Sequence, residues 1–228
     1  MKPHTRLAEA IAPDGDRIYL YEHDGAFTIR VNNMVLMDSM AGDSELRLGE
    51  LGMEHCLAAC PANRPARIFI GGLGLGFTLA RVLELARDHD VVELLELMPE
   101  VIEWNRSFLR ELNGKHLDDP RVELLQKDAA KQIRSAAAGT YDLILLDVDN
   151  GPAALVAKGN ASLYSNAGLN AIQNALSAKG RVIFWSAESD ARFEGRLRKM
   201  GFQAKTVSAK VHKKSKREAY ALIIADQT

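Results

Sequence analysis

The stretch Ile68-Phe69-Ile70-Gly71-Gly72-Leu73-Gly74-Leu75-Gly76 decides the fold. Three large apolar residues run straight into a glycine-rich loop, and a helical pattern opens at Phe77. In that order the backbone can turn sharply, and a ligand can approach it without meeting a Cβ. A glycine loop alone is a weak signal; an acid at the end of the next strand strengthens it. That acid is Glu96, near the offset of about 20 residues at which a carboxylate accepts from ribose hydroxyls. A tight turn followed by a surface glutamate is the plainer reading. A nicotinamide or flavin site would want G-x-G-x-x-G, whereas Gly72-x-Gly74-x-Gly76 closes one residue early.

Outward from the loop, apolar runs at 67–71, 91–97, 122–126, 141–148 and 181–185 alternate with helical stretches at 76–88, 99–113, 129–137 and 165–178. Runs this continuous are covered on both faces, which predicts an α/β domain around a mostly parallel sheet. A helix at 190–200 and strands at 203–212 and 218–225 complete it, the short last connection making those strands antiparallel neighbours. Upstream, 17–21 and 26–31 alternate like strands around His23-Asp24-Gly25, a hairpin turn signal, and Asn32-Asn33 turns into Met34-Val35-Leu36-Met37. Leu48, Leu51, Cys56, Leu57 and Cys60 keep helical spacing over 44–60, and the prolines of 61–65 end it. The expected division is 1–62, β-hairpins with a linking helix, and 63–228, a nucleoside-binding catalytic domain.

The chain has 228 residues, 47% of them hydrophobic, and a formal net charge of -1. That balance gives no global field for nucleic acid or a membrane surface. No apolar run approaches the ~18–20 residues of a membrane span, and no signal-peptide stretch follows Met1, so a cytoplasmic location is expected. Cys56 and Cys60 are the only cysteines, too few for a disulfide framework. With only His55 and Glu54 beside them they lack the convergent ligands of a metal site, and no metal is expected. The histidines form no Ser-His-Asp pattern. Lys210, Lys213, Lys214, Lys216 and Arg217 crowd the last hairpin turn, read as a solvated turn without interleaved aromatics.

In an open α/β sheet, ligands sit beyond the carboxyl ends of the strands. Asp128-Ala129 follows the third run; Asp128 can accept from an exocyclic amine such as that of adenine, or cap the next helix. The fourth run ends in Asp147-Val148-Asp149-Asn150-Gly151-Pro152. Packing does not call for two carboxylates and an amide there. Asp147 can orient or partly deprotonate a nucleophile, Asp149 can assist and Asn150 can touch the substrate. A capped turn closed by Gly151-Pro152 is the plainer alternative. Trp185 ends the fifth run as a wall of the substrate site or a core residue. Tyr164 closes the long connection 151–165 and is a candidate substrate contact.

These segments, together with Val92-Glu93-Leu94-Leu95-Glu96-Leu97-Met98-Pro99-Glu100, Asp118-Asp119-Pro120-Arg121-Val122, Gly151-Pro152-Ala153 and Leu163-Tyr164-Ser165, resemble the spermidine synthase family over roughly 65–190. That family is a branch of the Rossmann-like adenosylmethionine methyltransferase fold. The resemblance implies a mostly parallel seven-stranded sheet with helices on both faces, an antiparallel C-terminal hairpin and a small N-terminal β appendage. It implies that Gly71, Gly72, Leu73, Gly74, Gly76, Glu96, Leu97, Asp128, Ala129 and Asp147 hold the nucleoside. It also implies that Asp147 is the catalytic aspartate and that the protein is a homodimer. Three departures matter. Gly74 stands where the family carries an aspartate suited to decarboxylated adenosylmethionine, so a ligand that keeps its carboxylate becomes tolerable. Leu48-Gly49 replaces a Tyr-His pair before the first helix that helps hold the polyamine, and the catalytic loop is shortened to Asp147-Val148-Asp149-Asn150-Gly151.

The expectation is an adenosylmethionine-dependent transferase that moves a methyl group to a small-molecule acceptor. The alternatives are aminopropyl transfer from decarboxylated adenosylmethionine, another cleavage of the sulfonium, or a nucleoside-binding protein without catalysis. Neither nucleic acid nor membrane is an expected partner.

Overall fold

The computed structural model of the chain describes residues 4–13, 15–32, 34–148, 160–212, 215 and 218–228. Four strands come first: β1 (Thr5–Ile11), β2 (Arg17–His23), β3 (Ala26–Val31) and β4 (Met34–Asp38), an antiparallel sheet in chain order. The hairpin between β2 and β3 turns at Asp24 and Gly25, both at positive φ, as the Asp-Gly signal requires. Then follow α1 (Asp43–Ala59), β5 (Arg67–Gly71), α2 (Phe77–Leu85), β6 (Val91–Glu96), α3 (Pro99–Arg106), β7 (Val122–Gln126), α4 (Ala129–Ser135) and β8 (Tyr141–Leu146). The chain ends with α5 (Asn166–Ala175), β9 (Leu176–Ser186), α6 (Ala191–Lys199), β10 (Gln203–Lys210) and β11 (Glu218–Asp226).

The main sheet runs β10-β11-β9-β8-β5-β6-β7, parallel among its middle strands and antiparallel at the β9–β11 and β11–β10 pairings. This is a Rossmann-like methyltransferase fold. Period-two alternation divides the sheet's side chains between two cores. Ile68, Ile70, Leu143, Leu145, Ile183, Leu222 and Ile224 face a core shared with α1, α2 and α3. Phe69, Ile144, Leu146, Val182, Phe184 and Ile223 face α4, α5 and α6. The first core also takes Leu20, Ile29 and Val31 from the small sheet, so that sheet seats on the same face.

Two elements differ from the sequence reading. β1 was not expected: its residues alternate only weakly, and most are exposed or half-buried as in an edge strand. The helix expected over 165–178 stops at Ala175. Leu176 pairs with Tyr141 and starts β9, which bends through Lys179 at φ 66 before the regular ladder at Arg181.

The chain steps from β5 outward to β6 and β7, then returns to the other side of β5 with β8. The crevice beyond the carboxyl ends of β5 and β8 is therefore the switch point at which α/β sheets bind ligands.

Candidate active site

A cleft opens at that switch point, with an empty volume, mouth included, of about 1370 Å³. Its floor is the loop from Gly72 to Gly76 and the ends of β6, β7 and β8; its opposite wall is the small sheet, through Ile18, Ile29, Val31, Leu36 and Met37.

The loop is held by its own chain. Gly72 sits at φ +96, and a Cβ there would come within 2.3 Å of the Asp147 carbonyl oxygen. The Asp147 amide donates to the Gly71 carbonyl at 2.9 Å, so loop and strand end are joined on both sides. Gly74 sits at φ +51, and a Cβ there would meet the Met37 sulfur at 2.7 Å. Two buried asparagines fasten the loop from below: Asn105 donates to the Gly74 carbonyl at 2.8 Å and Asn113 to the Leu75 carbonyl at 2.9 Å. The loop ends at Gly76, the N-cap of α2, which has no side-chain cap.

Glu96 accepts from the Leu73 amide at 3.0 Å and the Met98 amide at 2.9 Å while lining the cleft. Burial pushes its carboxyl above the usual range, against those backbone hydrogen bonds. Asp128 and Ala129 also line the cleft, and Asp128 caps α4 by accepting from the Lys131 amide at 3.0 Å. Leu97 lines the rim, 44% exposed.

Asp147 lines the cleft just past β8, with the Thr78 hydroxyl donating to it at 3.0 Å. Burial pushes its carboxyl up to about 7, the charge of Glu45 adds to that, and the Thr78 hydrogen bond opposes it. Glu45, in the first turn of α1, lines the same cleft and accepts from the Ser44 hydroxyl. Trp185 lines the cleft as well, its ring 4.8 Å from that of Tyr220 and its buried indole nitrogen without a partner among the described residues. Asp149 and Asn150 lie outside the described residues, as do Lys213, Lys214, Lys216 and Arg217.

Two of the expected site residues, Tyr164 and Gly71, are not among the described residues that line the cleft. Tyr164 is 5% exposed in the second core, its ring 5.8 Å from Phe184 and 5.7 Å from Phe193, because the apolar faces of α5 and α6 close over it. Leu48 and Gly49 lie inside α1, in the helix expected over 44–60, Leu48 in the core and Gly49 against Arg81. Gly71 lies beneath the loop, where a Cβ would meet Leu146 and Ala129 side chains. Sequence reasoning missed Glu45, Thr78, Asn105, Asn113 and Met37. Only Thr78 carried a signal, a hydroxyl two residues past the last loop glycine.

These groups suit an adenosylmethionine-type nucleoside: a carboxylate for ribose hydroxyls at Glu96, an acceptor for an amine at Asp128, and an uncapped helix end beside the loop. Among the described residues, no group of three or more His, Cys, Asp or Glu side chains gathers as a metal site, and no helix is long and apolar enough to cross a membrane.

The comparisons agree with this geometry. Putrescine N-methyltransferase 1 of Nicotiana tabacum is 32% identical over 127 residues, 55% of this chain and 31% of that one. Spermine synthase of Arabidopsis thaliana is 35% identical over 105 residues, 45% of this chain and 29% of that one. The matches thus span about three-tenths of the length of these relatives. A spermidine synthase solved in complex with the transition-state analogue AdoDATO superposes with a TM-score of 0.77 at 20% identity, covering 98% of this chain and 74% of that chain. The family model described as the spermine/spermidine synthase domain matches residues 53–227. The chain belongs to the spermine/spermidine synthase domain family.

Proposed function

We propose that the chain transfers the methyl group of adenosylmethionine to an amine nitrogen of a small acceptor. The observation that carries this reading is the loop at Gly74. It presents no carboxylate where the resemblance expects an aspartate, and the Met37 thioether fills the adjoining space. The uncapped N-terminus of α2 opens beside it and favours an anionic group such as an amino-acid carboxylate. When bound, adenosylmethionine supplies an electrophilic methyl carbon on its sulfonium.

The chain's own residues do the rest. Glu96 and Asp128 orient the nucleoside, with Gly72, Leu73 and Gly76 as its backbone cradle. Asp147 orients the acceptor and takes up a proton, its raised pKa suiting exchange near neutrality. Trp185 walls the acceptor region. An amine acceptor accords with carboxylates in the cleft and with the name of the putrescine N-methyltransferase relative.

Aminopropyl transfer is the second reading, favoured by the superposition on a spermidine synthase and the spermine synthase relative. Calorimetric titration with adenosylmethionine and with its decarboxylated form separates the two. Tighter binding of adenosylmethionine, and mass-spectrometric detection of a methylated diamine, are expected. Tighter binding of the decarboxylated form would overturn the methyl reading, and binding of neither would overturn the nucleoside site.

A further inference from the structure

Several buried or half-buried acids of this molecule are held by arginines. Asp142 is paired with Arg64 at 2.7 Å, Asp90 with Arg87 at 3.0 Å, Asp119 with Arg121 at 2.7 Å and Glu50 with Arg81 at 2.9 Å. Glu45 and Asp147, both half-buried, take part in no ion pair among the described residues. Their partners are hydroxyls, Ser44 for one and Thr78 for the other. Among the described residues that line the cleft, Lys127 is the one cation, and it follows β7, two strands away from β5. Two neighbouring carboxylates without a counter-cation form a receptor for one.

We propose that Glu45 is the second carboxylate of the acceptor site, paired with Asp147 to hold the acceptor's ammonium group and to take up the proton that group must lose. This rests on the amine reading above. The pair is rigidly placed. α1 lies against β8 so closely that a Cβ on Gly52 would come within 2.9 Å of Leu143 and Leu145 side-chain carbons, which locks Glu45 to the strand that ends at Asp147. Trp185 lines the same cleft, its ring tilted 43° against that of Tyr220, and its aromatic face suits an alkylammonium ion.

The surrounding charges act in one direction. Burial raises the Glu45 carboxyl, and Asp43 adds to this against the Ser44 hydrogen bond. Burial also raises the Tyr220 phenol, with Glu45 and Asp38 contributing. Two carboxylates so placed share a proton in the empty site. A bound ammonium allows both to ionise, and the balanced step is R–NH3+ plus carboxylate giving R–NH2 plus carboxylic acid. The nitrogen keeps the electron pair of the broken N–H bond as the lone pair a nucleophile needs.

The test is titration of 1,4-diaminobutane into protein saturated with S-adenosylhomocysteine, in two buffers of different ionisation enthalpy. Glu45→Gln is expected to weaken diamine binding 10- to 100-fold, to lower the number of protons released on binding, and to leave S-adenosylhomocysteine affinity within twofold. Glu45→Asp should recover part of the loss. In turnover, the acidic limb of the kcat/KM profile should move to lower pH in Glu45→Gln, because Asp147 loses a like-charged neighbour. Wild-type protein that binds the diamine while Glu45→Gln binds it equally, with the same proton release, overturns the role of Glu45 and leaves the amine reading standing. Wild-type protein that binds the nucleoside and no diamine overturns both. A Glu45→Gln protein that also loses S-adenosylhomocysteine would make Glu45 a structural residue and overturn the proposal.

Discussion

Asp142 and Asp147 stand at opposite ends of the same strand, five residues apart, and the fold treats them in opposite ways. At the amino end, Asp142 is 5% exposed and accepts from Arg64 at 2.9 and 2.7 Å, the Arg67 amide at 3.0 Å and the Ser177 hydroxyl at 2.7 Å. Burial pushes its carboxyl up, but those bonds outweigh it and hold the group below the usual carboxylate range. At the carboxyl end, Asp147 has one hydroxyl, a like charge nearby and a carboxyl raised to about 7. The first is satisfied and serves the fold; the second is left wanting a partner, the condition under which a side chain does chemistry.

The contrast can be broken at either end. The largest expected effect is on turnover. Asp147→Asn should lower kcat about 10³-fold, in the range of general acid–base contributions, with nucleoside affinity unchanged by calorimetry; unaltered turnover would remove Asp147 from the chemistry. Next is Asp142→Ala, which leaves the Arg67 amide and the Ser177 hydroxyl without their acceptor. It should cost about 2 kcal/mol in chemical denaturation while activity per folded molecule holds. Because the folded pKa of Asp142 is depressed, its contribution is present above its unfolded pKa and disappears as pH falls through the folded value. The variant should therefore differ least from wild type in strong acid.

A smaller effect is expected at the loop. Gly74→Asp adds a negative charge at φ +51, which aspartate tolerates better than most residues, and it must displace the Met37 thioether. It should shift the preference between adenosylmethionine and its decarboxylated form about tenfold toward the latter, ~1.4 kcal/mol. The smallest effect has the opposite sign to the usual result of mutating a buried residue. Since the folded pKa of Asp147 is raised, ionisation penalises the folded state as pH climbs from the unfolded value to about 7. Asp147→Asn should therefore stabilise the ligand-free protein by about 1 kcal/mol at pH 8 and by almost nothing near pH 4, read from thermal melts. A uniform gain across that range would mean that the charge is not its source.

The parts of the cleft that lie at strand ends were legible in the sequence. An apolar strand, its terminal acid and the next helix are contiguous, so the glycine loop, Glu96, Asp128 and Asp147 announce themselves in chain order. Asn105 and Asn113 did not, because each reaches back more than 30 residues to a loop carbonyl. Glu45 carries no signal in the sequence, because the helix dipole alone accounts for an acid in a helix's first turn. Tyr164 misled for the converse reason: a tyrosine after a long connection looks available, and only packing against Phe184 and Phe193 removes it from the cleft. β1 escaped because an edge strand with a half-wetted face carries little period-two contrast.

The close approach of Gly72 to the Asp147 carbonyl has a consequence for how such a site can change. The glycine loop and Asp147 form one casting, in which neither can be re-aimed without the other. Among the described residues, the small sheet facing them makes no such bond. Ile18, Ile29, Val31, Leu36 and Met37 reach the cleft as replaceable tiles on an interchangeable lid. New acceptors can be accommodated by retiling that lid while the machine beneath it stays as it is.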